Sequence, residues 1–193
     1  MKGTIHYCLE ETIKKFHGDE GWEAVAEANG YEADFSFATK IRDDIDEKHS
    51  IDLFVKGAET LQIPLTTLFD QFGEYWCCEY APQVYGAFYR GLKGTKEGVT
   101  RLDRVHDTVT RHIPNAAPPR FIYNWIHENE LELTYKSDRN LLDLFISLVK
   151  GLDKNFNEET EIIKLNDYQV ILKFGVVRPV RDEVEESDVL QQP

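Results

Sequence analysis

Apolar residues recur at helical spacing through the first two thirds of the chain. In the segment IHYCLEETIKKF they share one stripe, and Gly18 follows as a stop signal. That stripe consists of Ile5, Cys8, Leu9, Ile13 and Phe16. The pattern predicts further helices over DEGWEAVAEANG, over DIDEKHSIDLFVKGAETLQI and, opened by Pro64, over PLTTLFDQFGEYWCCEY.

The pattern changes after residue 119. RFIYNWI and LELTYKS alternate between apolar and polar side chains, which predicts two strands joined by a turn at HENE. NLLDLFISLVKGLDKNF is apolar around much of its circumference, as in a buried helix. TEIIKLN and YQVILKFGVV flank Asn166 and Asp167, as in a hairpin. We therefore predict an α+β fold, with a helical N-terminal half packed on a C-terminal antiparallel sheet that carries a buried helix.

The length and charge of the chain narrow its class. We predict a single domain over residues 1–180 and an acidic, mobile tail over residues 181–193. The 35 acidic and 22 basic side chains give a formal charge of -13, which argues against a nucleic-acid or anionic membrane surface as partner. No signal peptide or bilayer-spanning apolar stretch is recognisable, so we predict a cytoplasmic protein.

The three cysteines do not suggest a disulfide framework or a zinc site. Cys77 and Cys78 are adjacent, Cys8 leaves the count odd, and no CxxC pair occurs. Buried, reduced thiols are the expected state. A cysteine activated by a distant histidine would make the chain an enzyme, but both adjacent cysteines lie in an apolar helix without an evident electropositive neighbour.

His106, in the segment LDRVHDTVT, stands on a helical face that is otherwise apolar. The face carries Val99, Leu102, Val109 and Ile113. One interpretation is a core histidine that hydrogen-bonds a neighbour and packs. The other is an imidazole whose free nitrogen holds a metal or a haem iron. The histidine alone does not decide between the two.

The segment YKSDR, residues 135–139, is the second candidate site. If it is a strand, Tyr135, Ser137 and Arg139 point to one face, because alternate side chains share a face. Two hydroxyls and a guanidinium suit one or two carboxylates. The alternative is a solvated strand end, in which these three residue types are unremarkable.

Several short motifs appear in the order found in one family. The chain resembles an H-NOX domain (haem nitric oxide/oxygen binding), the family that includes the sensor domain of soluble guanylate cyclase and standalone bacterial gas sensors. The matching features are the MKGTI start, GEYW at residues 73–76, the histidine in LDRVHDTV, PPR at residues 118–120, and YKSDR. The helix and strands that follow extend the match to about residue 175.

The resemblance implies a haem b (iron protoporphyrin IX) in a cleft between the helical half and the sheet. His106 matches the proximal iron ligand, and Pro119 matches a proline that bends the ring. The matched propionate clamp consists of Tyr135, Ser137 and Arg139. The matched lining of the distal pocket consists of Ile5, Leu9, Trp76, Leu144 and Leu148.

The resemblance also implies a gas preference and a signal. Oxygen-binding members place a tyrosine where this chain has Leu144, so we predict binding of NO and CO with little stable oxygen binding. Trp76 carries the remaining candidate donor, and we favour a packing role for it. NO should weaken the iron–His106 bond and shift its helix. Since no catalytic output is visible, we predict a sensor, not an enzyme, that signals to a separate histidine kinase or cyclic-di-nucleotide enzyme.

Two rival functions remain at this point. The chain could be a haem-free module that binds an acidic small molecule through Tyr135, Ser137 and Arg139, or an enzyme with a Cys–His pair. The colour of the purified protein separates both from a haem sensor.

Overall fold

The computed structural model describes residues 2–111 and 118–175, and it has the predicted order of helices and strands. Ile113 and the predicted tail over residues 181–193 lie outside the described residues, as does the side chain of Val109. The helices are α1 Gly3–Ala28, α2 Glu47–Thr60, α3 Leu65–Tyr75, α4 Ala81–Val84, α5 Gly86–Tyr89, α6 Thr95–Thr110 and α7 Leu142–Phe156. The strands are β1 Arg120–His127, β2 Glu130–Lys136, β3 Thr160–Lys164 and β4 Gln169–Phe174.

Helix α1 joins the first two predicted helices across a kink. Gly18 sits at the kink with φ 76° and ψ 175°, a conformation that glycine adopts without a steric penalty. The sequence signal for a helix stop at Gly18 is therefore expressed as a sharp change of direction, not as a loop.

The four strands form an antiparallel sheet in the order β1-β2-β4-β3. Leu131, Leu133 and Tyr135 of β2 alternate with half-exposed residues, so one face of the sheet is buried. The hairpin predicted around Asn166 and Asp167 is confirmed, since β3 pairs with β4 from Thr160↔Phe174 onwards.

Two hydrophobic clusters make up the interior. The first lies in the helical half, around Leu9, Leu53 and Phe72. The second lies between the sheet and helices α6 and α7, around residues such as Val99, Leu133 and Phe145. Partly buried side chains at the boundary, Trp76 and Leu148, contact both clusters. The predicted α+β architecture, with α7 as the buried helix, is confirmed.

Helices α3 and α7 cross with their backbones in contact. A Cβ atom on Gly73 would lie 2.2 Å from the carbonyl oxygen of Ser147, and one on Gly151 would lie 2.1 Å from that of Gly73. Around this contact, Ser147 Oγ donates to Asp70 Oδ1 over 2.7 Å, and Lys150 Nζ lies 2.8 Å from Asp70 Oδ2. The crossing fixes α7 against the helical half.

One turn departs from the predicted helix. Residues Trp76–Tyr80 form a π-helical turn, whereas the sequence pattern predicts an uninterrupted α-helix through Tyr80. A π turn inserts one extra residue per turn and rotates the side chains that follow it. Among the described helices, none is long and apolar enough to cross a bilayer.

Candidate functional site

A cavity of about 420 Å³ lies where the two hydrophobic clusters meet. Pockets that enclose small organic ligands have a volume of this order. Its wall is largely apolar and includes side chains from α3, the π turn, α5, α6, α7 and the strand β1. Predicted site residues that line it are Ile5, Trp76, His106, Pro119, Tyr135, Arg139, Leu144 and Leu148.

His106 lies in the last turns of α6 and lines the cavity. Its ring stacks on Phe121 with the centroids 5.8 Å apart and the planes at 29°. The Nδ1 atom is buried and has no hydrogen-bond partner among the described residues. Burial lowers the pKa of His106, and the backbone of nearby Pro119 partly opposes that effect. The imidazole is therefore held neutral, which is the form that binds a metal.

Tyr135, Ser137 and Arg139 come together, though not by strand alternation as predicted. Strand β2 ends at Lys136, so the prediction that all three share one strand face is wrong. Ser137 and Arg139 belong to the turn that follows, where Ser137 Oγ accepts the Arg139 backbone N–H over 3.3 Å. Tyr135 and Arg139 line the cavity; Ser137 is not among the lining residues.

The donors of this turn carry their protons at neutral pH. Burial raises the pKa of Tyr135, with a smaller opposing effect from the Ser137 hydroxyl. Burial also lowers the pKa of Arg139, but a guanidinium stays charged in proteins. A phenol O–H and a guanidinium at one edge of an apolar cavity suit a ligand with a carboxylate group.

The segment that precedes β1 brings Pro119 to the cavity beside His106. Arg120 Nη1 lies 3.2 Å from Asp103 Oδ2, and Arg120 Nη2 lies 3.8 Å from Asp107 Oδ1. The backbone N–H of Phe121 also donates to Asp103 Oδ1 over 3.4 Å. Helix α6 is thus tied to the strand whose first residues border the cavity.

The wall opposite His106 is largely apolar. It combines Ile5 of α1, Leu144 and Leu148 of α7, and Trp76. The Trp76 ring stacks on Phe72 with 5.7 Å between centroids and 25° between planes. Its indole N–H has no hydrogen-bond partner that the described residues supply.

Leu9 has a different place from the one the resemblance implies. It is fully buried in the helical cluster and is not among the residues that line the cavity. Ile5, one helical turn earlier, supplies the α1 side chain at the wall. Ile5 and Leu9 lie on the same apolar face of the helix, so the sequence pattern alone does not show which of them lines the cavity and which is buried in the core.

Several cavity residues were not found from the sequence. Phe121, Tyr89 and Cys77 line the cavity, and so do Lys2 and Asp44 at its rim. Lys2 Nζ lies 2.7 Å from Asp44 Oδ1. An alternating strand or an apolar helix contains many such residues, and only the tertiary packing selects those that face the cavity.

The cysteines are poor candidates for nucleophiles. Cys77 is 2% exposed, its thiol donates to the Leu148 carbonyl over 3.4 Å, and burial raises its pKa to about 12. Burial raises the pKa of Cys8 and Cys78 as well. Thiols with raised pKa values carry little thiolate at neutral pH, so the Cys–His enzyme has no support here.

The residues of the cavity fit a haem. A haem needs an apolar cleft for its ring, at least one neutral donor for its iron and polar groups for its two carboxylates. The cavity offers a largely apolar wall, the buried imidazole of His106 with an unfilled hydrogen-bonding capacity, and Tyr135 with Arg139. Within the described ranges, no three His, Cys, Asp or Glu side chains form a metal-ion site, so the imidazole would act as a single protein ligand.

Comparison with known proteins points to one family. The family model described as Haem-NO-binding matches residues 2–164 of this chain. No match was found among proteins of curated function.

Solved structures share the fold. A Cs H-NOX variant with an unnatural amino acid is 23% identical, with a TM-score of 0.80, over 93% of this chain and 98% of that one. An H-NOX variant of T. Tengcongensis is 24% identical, with a TM-score of 0.79, over 93% of this chain and 100% of that one. An oxygen-binding H-NOX domain related to soluble guanylate cyclases, in its oxygen complex, is 24% identical, with a TM-score of 0.74, over 90% and 95%.

Proposed function

We propose that this chain, which belongs to the Haem-NO-binding family, binds nitric oxide and carbon monoxide at a haem b and forms no stable complex with oxygen. The family consists of haem-based gas-sensor domains, not of enzymes. The choice of gas, the residues that hold the cofactor and the path of the signal are our proposals. The observation that carries them is the neutral, buried imidazole of His106 in the wall of an apolar cavity.

A bound haem supplies a ferrous iron that takes up diatomic gases, a ring that needs an apolar cleft and two carboxylate arms. We assign His106 as the protein ligand of the iron. Arg139 and Tyr135, which line the cavity, would pair with and donate to the carboxylates, and Ser137 accepts the Arg139 backbone N–H. Pro119, whose rigid pyrrolidine lines the cavity, would contact the ring.

The apolar wall supports the preference for NO and CO. Oxygen gains more from a buried hydrogen-bond donor than NO or CO does, since bound oxygen draws more negative charge outward. Leu144, Leu148 and Ile5 supply no donor. The nearby Thr4 hydroxyl is already 2.7 Å from the Tyr80 hydroxyl.

Trp76 and Tyr85 are lining residues with donor groups close to this wall, and we assign Trp76 a packing role. Its ring is held between Phe72 and Tyr80, with 5.7 Å and 5.4 Å between centroids. The Tyr85 ring is a third aromatic neighbour, with 6.0 Å between centroids. A ring fixed by three aromatic neighbours cannot turn freely to follow a gas molecule.

His106 is also where we propose that gas binding becomes a signal. If His106 no longer held the iron, α6 would be freer to move relative to β1, to which Asp103 and Arg120 join it. A movement of this kind gives two states with different surfaces, as a switch requires. We propose a separate histidine kinase or cyclic-di-nucleotide enzyme as the protein that reads it.

Absorption spectra test the proposal. The reduced protein should show a Soret band that shifts under NO and CO and is unchanged in brief contact with air. His106→Ala should lose the band and regain it with added imidazole, whereas His127→Ala, an exposed position on β1, should keep it. A colourless protein after expression with ample haem would favour the haem-free acid-binding module. An air-stable oxygen spectrum would overturn the gas preference and implicate Trp76.

A further inference from the structure

The first turn of α6 is capped by a residue from another element. Glu158 Oε2 accepts the backbone N–H of Thr95 over 2.7 Å. Gly94, at the N-cap position, has no side chain that could do this itself. The carboxylate thus satisfies a backbone donor that the helix leaves open and opposes the positive end of the helix dipole.

The chain is built to bring Glu158 to this position. Helix α7 ends at Phe156, and Asn157 follows in the left-handed conformation with φ 54°. The backbone N–H of Glu158 then donates to the Asp153 carbonyl over 2.9 Å, which fixes the backbone where the chain leaves α7. A Cβ atom on Gly94 would lie 2.2 Å from Glu158 Oε1, so only a glycine there leaves room for the carboxylate.

A second contact fixes the same turn. Lys96 Nζ donates to the Glu128 carbonyl over 2.6 Å and to Asn129 Oδ1 over 2.9 Å, in the turn between β1 and β2. It also lies 5.0 Å from the centroid of the Trp125 ring. The N-terminal end of α6 is therefore held by α7 on one side and by the sheet on the other.

His106 lies eleven residues further along the same helix. At 1.5 Å per residue the imidazole is about 16 Å from Thr95, so a rotation of roughly 5° at the first turn displaces it by about 1.4 Å. Between these points, the Tyr123 hydroxyl donates to the Val99 carbonyl over 3.2 Å, and Asp103 pairs with Arg120 through side chains that are 39% and 52% exposed. Exposed ion pairs contribute little, so the hydrogen-bonded first turn is an important anchor for the direction of the helix.

We propose that Glu158 is a positioning residue for His106. Its carboxylate holds the first turn of α6 against the end of α7 and so aims the imidazole into the cavity. A swing of α6 about its first turn changes the angle of the Thr95–Glu158 hydrogen bond, and the cap therefore opposes release of His106. Since α7 also supplies Leu144 and Leu148 to the opposite wall, one helix sets both the gas side and the histidine side. This inference rests on the proposed function.

The test compares three variants of the full chain with bound haem. Glu158→Ala removes the cap, and Glu158→Gln keeps an acceptor but loses the charge. Glu161→Gln is the matched control, because Glu161 is an exposed carboxylate three residues further on that pairs with Lys173 over 3.3 Å. Resonance Raman spectra report the iron–His106 stretching line in the reduced protein, and amide hydrogen exchange reports the first turn of α6.

We expect the stretching line to fall in frequency and broaden in Glu158→Ala, with a smaller change in Glu158→Gln and none in Glu161→Gln. At a temperature where NO gives both five- and six-coordinate spectra, their ratio should rise about fivefold in Glu158→Ala, the usual effect of losing a helix cap. Exchange at the first turn should rise in parallel.

The outcomes of the two proposals are distinguishable. If the unsubstituted chain binds no haem, the proposed function fails. If it binds haem and Glu158→Ala speeds amide exchange but leaves the stretching line unchanged, Glu158 is merely structural and the positioning role is overturned. An equal shift of the line in Glu161→Gln would overturn it as well, because the effect would then be one of surface charge.

Discussion

At the scale of single residues, burial decides the chemistry of the cavity. The pKa of His106 is lowered mainly by its removal from water, so the ring presents a neutral nitrogen and not a cation. The same effect keeps the Tyr135 hydroxyl protonated as a donor. Each side chain would be ordinary on a surface, and it is their enclosure in one apolar space that suits them to hold the proposed cofactor.

Leu144 gives the sharpest test of the gas preference. Leu144→Tyr should create a stable oxygen spectrum and raise oxygen affinity by about tenfold, since a buried hydrogen bond contributes roughly 1.5 kcal/mol. Leu144→Phe is the control, because it adds the ring without the hydroxyl and should leave oxygen binding weak. Oxygen binding that is equal in the two variants would mean that the hydroxyl is not the source of the effect.

The burial of His6 predicts how the stability of the fold depends on pH. It is 2% exposed, its Nε2 atom has no partner within the described part of the chain, and burial lowers its pKa to about 4. The unfolded chain binds a proton below pH 6.5 and the folded chain only near pH 4. His6 therefore contributes its full stabilisation above pH 6.5. The free energy of unfolding falls by about 3 kcal/mol as the pH falls from 6.5 towards 4.

The measurement is the free energy of unfolding in urea at several pH values. His6→Leu should flatten the curve between pH 6.5 and 4, and the exposed His127→Gln should keep the slope of the unsubstituted chain. A slope that His6→Leu leaves intact would assign the acid response to other groups.

Eight of the ten predicted site residues line the cavity, but the sequence did not show which of two neighbours on a helix faces it. Ile5 and Leu9 lie on the same helical stripe, yet only Ile5 reaches the wall, because Leu9 is covered by the helical cluster. Phe121 stacks on His106 although nothing in its strand marks it out. Which side chain faces the cavity depends on the packing of elements that are distant in the sequence, and the spacing of residues within one element does not show it.

At the scale of elements, the crossing of α3 and α7 holds the two halves together. The carbonyl of Ser147 lies where a Cβ atom of residue 73 would be, so the two backbones meet without a side chain between them. This packing places Trp76, just after α3, opposite α7 and its Leu148. The close approach of the two helices therefore determines how Trp76 and Leu148 border the cavity.

Gly73→Ala should destabilise the protein by roughly 1–3 kcal/mol, the usual cost of overpacking a close contact. Its added Cβ atom would lie 2.2 Å from backbone. Gly57→Ala in α2 is the control, since its Cβ atom would lie 3.5 Å from Leu68 Cδ2 in ordinary contact, and the better helix propensity of alanine should leave stability unchanged or improved. Denaturant unfolding measures both, and equal effects would show that the crossing has room to yield.

The positions of helices and strands were predicted well where the spacing of apolar residues matches one regular element. They were predicted less well at local departures from regular structure. The helices and hairpins follow from their apolar spacing and from Gly18, Pro64 and the Asn166–Asp167 pair. The π turn at Trp76–Tyr80 was missed, because the apolar spacing of an α-helix runs through it. Ser137 and Arg139 were assigned to a strand, whereas β2 ends one residue before Ser137.

At the scale of the whole molecule, the cavity lies between two separate clusters. Trp76 and Leu148 touch both, but much of the boundary is cavity wall. A ligand that fills this space joins the helical half to the sheet, and its removal leaves apolar surface without contacts. The stability of the protein should therefore depend strongly on its cofactor.

Removal of the haem should lower the melting temperature by roughly 10 °C. A ligand present at 1,000 times its dissociation constant stabilises the folded state by about 4 kcal/mol, and each kcal/mol shifts the midpoint of a chain this long by roughly 2–4 °C. Differential scanning calorimetry of the haem-bound and haem-free protein measures the difference. His106→Ala without imidazole should have the melting temperature of the haem-free protein. If the haem-free protein melted at the same temperature as the haem-bound protein, the fold would not depend on a ligand in the cavity.

The amino terminus has a practical consequence for anyone who purifies this protein. Gly3 packs so closely that a Cβ atom on it would lie 1.8 Å from the Lys40 carbonyl oxygen, and Lys2 pairs with Asp44 at the cavity rim. An affinity tag fused next to Lys2 would lie beside residues that line the cavity, and preparations made with it should incorporate less cofactor than those tagged elsewhere. Recombinant expression strategies should therefore place a tag away from Lys2.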